Sequence, residues 1–403
     1  MALNLHNSAH FAGKIPATTA LRVLLAHAGV RDPISKQPFS EAMLFGIAGG
    51  VGVGVAAFHY AKGDFSTFFI AGRHHWFDDV FYLSGALERL GIKATIKESS
   101  GAKSGEKNLR DLLAVGPCIA WVDTACLPHR ALPAIHIGGS YHVVTVYGID
   151  GDNALIGDMA EKPVSVSLAD LGTSRTRIVK QRNRLLSLKT PDSPKNLRKL
   201  VNEGLGACHQ AMTMKSGKGP YAMSTLEAVQ RWADRLHGSK DKESWEKLFP
   251  PGINLWRGLT SIHQFIEFYG TGGGLCRPIM AEFLKKAGAA LGDAKLKKLG
   301  KQYADLGRGW TELADAALPD AVPLFKEAKE CRRQYSELLF SRGSIDAKLA
   351  VWSKLGDLAE QAKSKFPLNA TECDDLRSRL QSRVWELVEQ EKAAVRAIAK
   401  SVG

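Results

Sequence analysis

The residues with the clearest chemical potential lie in one stretch, YHVVTVYGIDGDNALIGDM, at positions 141–159. His142 opens a run of β-branched and aromatic residues, and Asp158 closes the next such run. Between the runs stands DGDN (150–153), whose Asp, Gly and Asn residues tolerate the positive φ of a tight turn. The pattern therefore predicts a hairpin in which the first residue of one strand faces the last residue of its neighbour.

This placement would bring an imidazole to a carboxylate. A carboxylate that accepts a hydrogen bond from one imidazole nitrogen fixes the tautomer and leaves the other nitrogen free to remove a proton. His142 and Asp158 are thus the predicted general base and its orienting group. The structural alternative is that His142 is a half-buried strand residue and Asp158 a turn residue.

A second chemically suggestive feature is the helix start in GKIPATTALRVLLAHAG (13–29). Pro16 suits the first helical position, because the first backbone N–H groups of a helix have no internal partner. That end of a helix is also the positive pole of its dipole, which favours an anion or an activated nucleophile. The first turn offers only Thr18 and Thr19. We predict Thr18 as a substrate-binding residue, with helix capping or packing as the alternative.

A glycine-rich segment in the second half of the chain, GTGGGLCRP (270–278), cannot continue a helix. Such a segment lets the backbone approach a ligand closely, and Arg277 could then pair with a phosphate or carboxylate. We predict Arg277 as a substrate-binding residue; phosphopantetheine would supply the phosphate. The alternative is an interhelical turn whose arginine caps a neighbouring helix.

Other motifs argue against a bound cofactor. The adjacent histidines of GRHHWFDD (72–79) point in divergent directions without a third spaced ligand, so no metal site is predicted. GIAGGVGVG (46–54) has dinucleotide-like glycine spacing but neither a preceding strand nor a downstream acidic residue. The 6 cysteines include no CxxC pair. We expect reduced, structural thiols, including Cys118 among its apolar neighbours.

The composition limits the class of protein and of partner. With 403 residues, 45% hydrophobic and 24% charged, the chain is typical of a soluble globular protein. Its formal charge of +13 favours an acidic partner. Nucleic acid is the weakest candidate, because the basic residues are dispersed and no aromatic-interleaved basic motif occurs. The most apolar segment, MLFGIAGGVGVGVAAF (43–58), is too short and glycine-rich to span a membrane, so we expect a cytoplasmic protein without membrane contact.

The periodicity of the chain suggests two domains, as its length does. Short helices joined by glycine-rich turns are predicted from about residue 17 to 110, and helices dominate again after residue 196. Between them, short β-branched runs predict an antiparallel sheet: CIAWVD (118–123), YHVVTVYGI (141–149), NALIGDM (153–159) and PVSVSL (163–168). The predicted domains are 1–189 and 197–403, joined by the linker TPDSPKN (190–196).

Several motifs together resemble the butirosin biosynthesis protein H family. In the N-terminal part the resemblance is carried by GKIPATTALRVLLAHAG, SEAMLFGIAGGVG, FIAGR (69–73), WVDTACLP (121–128), YHVVTVYGIDGDNALIGDM and LGTSRTR (171–177). In the C-terminal part it is carried by IEFYGTGGGLCRPIMAEFLKKA (266–287), which resembles the helical domain that accompanies the first domain in that family.

The resemblance implies an α+β fold, with a papain-like N-terminal domain built on an antiparallel sheet and an all-α C-terminal domain. It also implies a cysteine-dependent acyltransferase, which takes an acyl group from a carrier-protein thioester and passes it to an amine during natural-product assembly. The expected parts are a Cys at a helix start, where the helix lowers its thiol pKa, a His at a strand start, and an Asp or Asn on the neighbouring strand.

Two of these parts carry over, since His142 matches the base and Asp158 its orienting group. The third does not, because the family's His-Cys at the helix start is replaced by Ile15 and Pro16. A proline side chain cannot attack a thioester. His10, six residues before Pro16, lies near the place where papain-like folds put an oxyanion-hole side chain. It is a candidate catalytic group, with a surface histidine as the alternative.

We therefore expect an acyltransferase or condensation enzyme of natural-product biosynthesis that uses His142 and Asp158 without a covalent intermediate. Its expected partners are an acidic acyl carrier protein, which would bring the phosphopantetheine, and a small-molecule amine; a homodimer is left open. One alternative is an inactive pseudoenzyme that binds a carrier protein or peptide. Another is a papain-like hydrolase with its nucleophile relocated to Thr18 or Cys118.

Overall fold

The computed structural model describes residues 9–60, 63, 65–189, 192–215 and 223–402, and these divide into two compact units. The first unit contains the chain up to Leu44, Asp79–Leu200 and Gln334–Trp352. The second contains Phe45–Asp78, Val201–Arg333 and the chain from Ser353 onward.

The strands are β1 (Val51–Tyr60), β2 (Phe65–Arg73), β3 (Ala94–Lys97), β4 (Cys118–Asp123), β5 (Tyr141–Asp150), β6 (Asn153–Gly157), β7 (Val164–Ser167) and β8 (Leu185–Leu188). The helices of the first half are α1 (Pro16–His27), α2 (Glu41–Ile47), α3 (Asp79–Leu90), α4 (Ala102–Leu113) and α5 (Leu168–Thr176). Those of the second half are α6 (Leu197–Thr213), α7 (Leu226–Leu236), α8 (Trp245–Leu248), α9 (Ile253–Glu267), α10 (Arg277–Ala290), α11 (Ala294–Ala317), α12 (Pro323–Phe340), α13 (Ile345–Ser364) and α14 (Ala370–Val402).

The first unit is built on an antiparallel sheet. Among the described residues, six strands pair in the order β3-β8-β4-β5-β6-β7. Strand β5 lies between β4 and β6, and its His142 pairs with Val122 of β4. The turn between β5 and β6 pairs Asp150 with Asn153, and Gly151 adopts a φ of 56° there. The predicted hairpin is thus confirmed.

The two faces of this sheet carry different layers, because successive side chains of a strand point to opposite sides. On one face, Val122, Val144 and Ile156 belong to a hydrophobic cluster that also takes in leucines of α4 and α5. On the other face, Val143 and Thr145 of β5 line a small cavity together with residues of α1. Burial of both faces is what fixes the register of β4, β5 and β6.

The α+β class predicted from the sequence is confirmed, with an antiparallel sheet in the first half and helices from residue 197 onward. Helix α1 ends just before the left-handed Gly29, and α3 just before the left-handed Gly91. One prediction is wrong: the region assigned to short helices contains the antiparallel β1–β2 hairpin. Its VGVGV alternation has the period of a strand, but its glycines weaken the strand signal.

Each compact unit is made of segments that are separate in the sequence. Gln334–Trp352 belongs to the first unit although it lies in the helical half of the sequence. Conversely, the β1–β2 hairpin belongs to the second unit, where β2 packs on α9 and β1 on α7. Two residues of the predicted linker, 190 and 191, lie outside the described residues. Within the described part of the chain, the helices are either too short or too polar to cross a bilayer.

Candidate functional site

The predicted pair His142 and Asp158 is brought together in the first unit. His142 Nε2 lies 3.0 Å from Asp158 Oδ1, with Asp158 buried and the His142 side chain 13% exposed. The hairpin accounts for this contact, because His142 is the second residue of β5 and Asp158 directly follows β6. An ionised carboxylate can only accept a hydrogen bond, so this contact is a hydrogen bond in the tautomer with its hydrogen on Nε2, and in that tautomer Arg130 Nη2, 3.1 Å from the same nitrogen, does not donate to it.

Two residues that no sequence pattern singled out complete the cluster. Arg130 holds Asp158 with two bonds, from Nε to Oδ2 at 2.6 Å and from Nη2 to Oδ1 at 2.5 Å. His129 Nε2 lies 2.7 Å from Asp158 Oδ2. Both come from the short 3₁₀ turn Pro128–Arg130 that follows β4. A single His-Arg pair beside a proline has no distinctive spacing, which is why pattern reading missed it.

This cluster determines the protonation states. Burial alone would raise the pKa of Asp158, but Arg130 and the histidines His129 and His142 outweigh it and hold that pKa well below its usual range. Burial and the Arg130 guanidinium, whose Nη2 is 3.1 Å from His142 Nε2, lower the pKa of His142, whereas Asp158 acts in the opposite direction. His142 is therefore a neutral imidazole at neutral pH, the form that can accept a proton.

The two histidines on Asp158 differ in their second nitrogen. His129 Nδ1 is buried without a hydrogen-bond partner, and burial lowers the pKa of His129. His142 Nδ1 makes no hydrogen bond to any described residue and is not buried in this way. Of the two rings, only His142 can offer its second nitrogen to another molecule.

The start of α1 is already occupied by an anion, the carboxylate of Glu41. Glu41 Oε1 accepts from the backbone N–H of Ile15 at 2.8 Å and of Lys14 at 2.9 Å. The Thr19 hydroxyl lies 3.0 Å from the same oxygen. Burial raises the pKa of Glu41, although these hydrogen bonds oppose the rise. A side chain of α2 thus binds the backbone N–H groups of the two residues just before α1, and not those of its first turn.

Pro16 lacks two groups that a helix start can supply to an acyl-transfer site. As the first residue of α1 it supplies neither a nucleophile nor a backbone N–H for an oxyanion. It lines the small cavity together with Val143 of β5 and with Gly157 and Met159, which flank Asp158 in sequence. The helix start and the residues on either side of Asp158 therefore line one cavity. His142 itself faces Asp158 and Arg130, and does not line this cavity.

The other predicted residues of the first unit are placed as follows. The His10 ring packs edge-on against Tyr147, with 4.5 Å between ring centroids, and burial lowers the pKa of His10. Thr18 is fully buried, and its hydroxyl lies 2.8 Å from the Tyr82 hydroxyl. Thr19, and not Thr18, lines the cavity beside Pro16. The position of Thr18 favours the packing alternative.

Arg277 lies in the second unit, at the first position of α10. It is 0% exposed, and its Nε donates to Glu391 Oε1 at 2.6 Å while its Nη1 donates to the carbonyl of Leu275 at 2.6 Å. The same Glu391 oxygen accepts from the Trp310 indole at 2.9 Å. A guanidinium that is wholly buried and ion-paired serves the packing of helices, so this placement favours the structural alternative.

Cys118 and Cys126, the two cysteines nearest to β4, have raised thiol pKa values. Cys118 is buried in the sheet, and burial raises its pKa to about 12. Burial also raises the pKa of Cys126, with Asp123 adding to the effect. A catalytic thiol needs a lowered pKa, so neither cysteine replaces the nucleophile that Pro16 lacks.

Comparison with known families gives two matches along the chain. Residues 16–159 match the family described as Butirosin biosynthesis protein H, N-terminal. Residues 167–337 match a Domain of unknown function (DUF4872). No curated protein matches the chain. The first match relates the N-terminal part to natural-product biosynthesis, and a papain-like fold is consistent with it.

Proposed function

We propose, from the membership of residues 16–159 in the butirosin biosynthesis protein H family, that the chain is an acyltransferase or condensation enzyme of natural-product biosynthesis. Its substrates are a thioester on an acidic acyl carrier protein and a small-molecule amine. His142 acts as the general base, and no acyl group becomes attached to the protein.

The single observation that carries this proposal is the state of the His142 ring. Its Nε2 is held by Asp158 at 3.0 Å, while its Nδ1 has no partner among the described residues. A fixed ring with one available nitrogen can act as a general base, and its lowered pKa keeps the imidazole neutral at neutral pH while making it a weaker base. Arg130 secures the carboxylate that holds the ring.

The chemical step needs no nucleophile from the protein. As the amine nitrogen attacks the thioester carbonyl, its proton passes to His142 Nδ1 and the C–N bond forms. The C–S bond then breaks, and the departing carrier thiolate takes the proton back from the imidazolium. Base catalysis of this kind contributes roughly 10²–10⁴-fold, and positioning of the two substrates supplies more.

A non-catalytic role is the second candidate, and the start of α1 favours it. Pro16 supplies neither a thiol nor an N–H, and Glu41 occupies the neighbouring donors of Lys14 and Ile15. A carboxylate at that position also repels the oxyanion of an acyl-transfer intermediate. Under this candidate the positively charged chain binds an acidic carrier protein or peptide without turnover. A hydrolase with a relocated nucleophile has less support, since Thr18 is buried and the pKa of Cys118 is raised.

The test compares two variants that disturb the same carboxylate. His142→Gln and His129→Gln each remove one imidazole from Asp158, but only His142 has an available Nδ1. Both are assayed with acyl carrier proteins and candidate amines, with carrier binding and thermal stability measured alongside. We expect His142→Gln to lower turnover by about 100-fold or more while carrier binding persists. His129→Gln should keep turnover within a few-fold of the original protein.

Equal turnover in His142→Gln and the original protein would overturn the base assignment. Binding of carrier protein without product from any donor and amine pair would favour the second candidate.

A further inference from the structure

Three cations, Arg130, Arg342 and Lys348, lie near Asp158. Arg342 and Lys348 belong to Gln334–Trp352, the C-terminal segment of the first unit. Lys348 of α13 is 3% exposed, and its Nζ donates to the carbonyl of His129 at 3.0 Å and to that of Gly343 at 2.7 Å. Lys348 therefore links the backbone beside Arg130 to the backbone beside Arg342. The Arg342 guanidinium donates Nη2 to the carbonyl of Lys162 at 2.8 Å.

The segment holds this arrangement by a further contact. Tyr335 of α12 donates its hydroxyl hydrogen to the carbonyl of Arg130 at 2.7 Å. Lys348 and Tyr335 thus fix the His129–Arg130 turn through its carbonyl oxygens. Lys348 and Arg342 are themselves held by backbone carbonyl dipoles.

Charges in the group do not cancel. Arg130 is paired with Asp158 at 2.5 Å. Among the described residues, no carboxylate lies within 4 Å of Lys348 Nζ or of the Arg342 guanidinium. Burial and the nearby Arg342 and Arg130 lower the pKa of Lys348, and only Asp158 opposes them. A buried cation without an anionic partner is costly, and an added anion would reduce that cost.

The backbone near the group is held in an uncommon conformation at three non-glycine residues. Ala131, Met159 and Arg342 have φ values of 50°, 54° and 57°. Ala131 follows Arg130, and Met159 follows Asp158. Left-handed non-glycine residues persist only where surrounding contacts hold them, and they are enriched at ligand-binding positions.

From this geometry we propose that Arg342 and Lys348, beside the Arg130–Asp158 pair, form a binding site for an oxyanion group, a phosphate or a carboxylate, on the acyl donor. The inference rests on the proposed function for the identity of the donor, but not for the existence of the site. Arg342 is half-buried, and its Nε and Nη2 both donate to the carbonyl of Lys162, at 3.1 and 2.8 Å. The N–H groups at the Nη1–Nη2 end of the guanidinium make no other hydrogen bond among the described residues and suit such a group. We thus assign to Arg342 and Lys348 the recognition of the donor's anionic group that the sequence analysis assigned to Arg277.

The experiment measures anion binding without any turnover. Thermal unfolding is followed in increasing sodium phosphate, sodium acetate or sodium chloride at constant ionic strength, for the original protein, Arg342→Met and Arg342→Lys. The matched control is Arg182→Met, since Arg182 is also a left-handed arginine of the first unit and pairs with Glu98 at 3.7 Å. A ligand that binds only the folded state raises the unfolding temperature in proportion to its affinity.

We expect phosphate, acetate or both to stabilise the original protein and Arg182→Met in a saturable manner that chloride does not reproduce. Arg342→Met should weaken the apparent affinity by about tenfold or more, and Arg342→Lys should recover part of it. A response to phosphate alone assigns the site to a phosphate group, and one to acetate alone assigns it to a carboxylate. Equal responses of all variants, or none beyond that of chloride, would overturn the proposal. Because no product is measured, this result is independent of the His142 test.

Discussion

Arg130 and burial together lower the pKa of His142, and replacement of Arg130 should raise that pKa. In Arg130→Met the cation 3.1 Å from His142 Nε2 is lost, while the Asp158 carboxylate at 3.0 Å stays. Burial still disfavours the imidazolium in this variant, but the carboxylate no longer acts against a neighbouring cation. We expect the pKa of His142, now held below its ordinary value of 6.5, to rise toward that value.

The size of the change follows from the charges. Two unit charges about 4 Å apart interact by about 4 kcal/mol at the effective dielectric constant of a protein surface, which corresponds to about 3 pKa units. This is an upper bound, because solvent and rearrangement of Asp158 absorb part of it, and we expect a rise of about 1–3 units. The variant also leaves Asp158 buried without its arginine, which should lower the free energy of unfolding by about 3–5 kcal/mol.

The assay is an NMR titration of the histidine Cε1–Hε1 signals, with the His142 signal identified by its loss in His142→Gln. Arg130→Lys is the matched control, because it keeps the charge and changes only the two-bond geometry. In that variant the pKa of His142 should stay low. A His142 pKa that is unchanged or lower in Arg130→Met would refute the assigned role of Arg130.

Further predictions concern hydrogen bonding, pH and thiol chemistry. Glu41→Gln should lower the free energy of unfolding by about 1–2 kcal/mol in urea titrations, because it weakens the hydrogen bonds from the Lys14 and Ile15 backbone, whereas exposed Glu88→Gln should change it little. Burial lowers the pKa of His263 to about 3, so below pH 6.5 the unfolded chain binds the proton first. The contribution of neutral His263 to the free energy of unfolding is complete above pH 6.5 and is lost as the pH falls. From pH 7 to pH 5, urea unfolding should show a loss of free energy about 2 kcal/mol larger than in His263→Gln. Because burial raises the pKa of Cys118 and of Cys208 to about 12, neither should react with iodoacetamide until the protein unfolds, as peptide mass spectrometry would detect.

Local patterns predicted the central part of the first unit well. The hairpin of His142 and Asp158 was predictable because each strand has a strong β pattern and the turn residues suit a positive φ. Helix α1 was predictable from Pro16 at its start and Gly29 beyond its end. These features depend on residues close together in the sequence, which is the range over which patterns are informative.

The parts of the site that the sequence did not predict depend on contacts between residues far apart in the sequence. Arg130 reaches Asp158 across 28 residues, and Glu41 reaches the α1 start across 26. Lys348 reaches the carbonyl of His129 across 219 residues. None of these contacts produces a periodic signal, since each is set by how the chain packs. For the same reason the sequence could not assign Gln334–Trp352 to the first unit.

The central claim is acyl transfer without an acyl-enzyme, and intact-mass spectrometry during a staged reaction tests it most directly. The protein is first incubated with acyl-carrier thioester alone, and the amine is added after its mass has been recorded. We predict an unmodified protein mass in the first stage and product only after the amine is added. A protein mass increased by one acyl group before the amine is added, on Thr18, Cys118 or any other residue, would contradict the account.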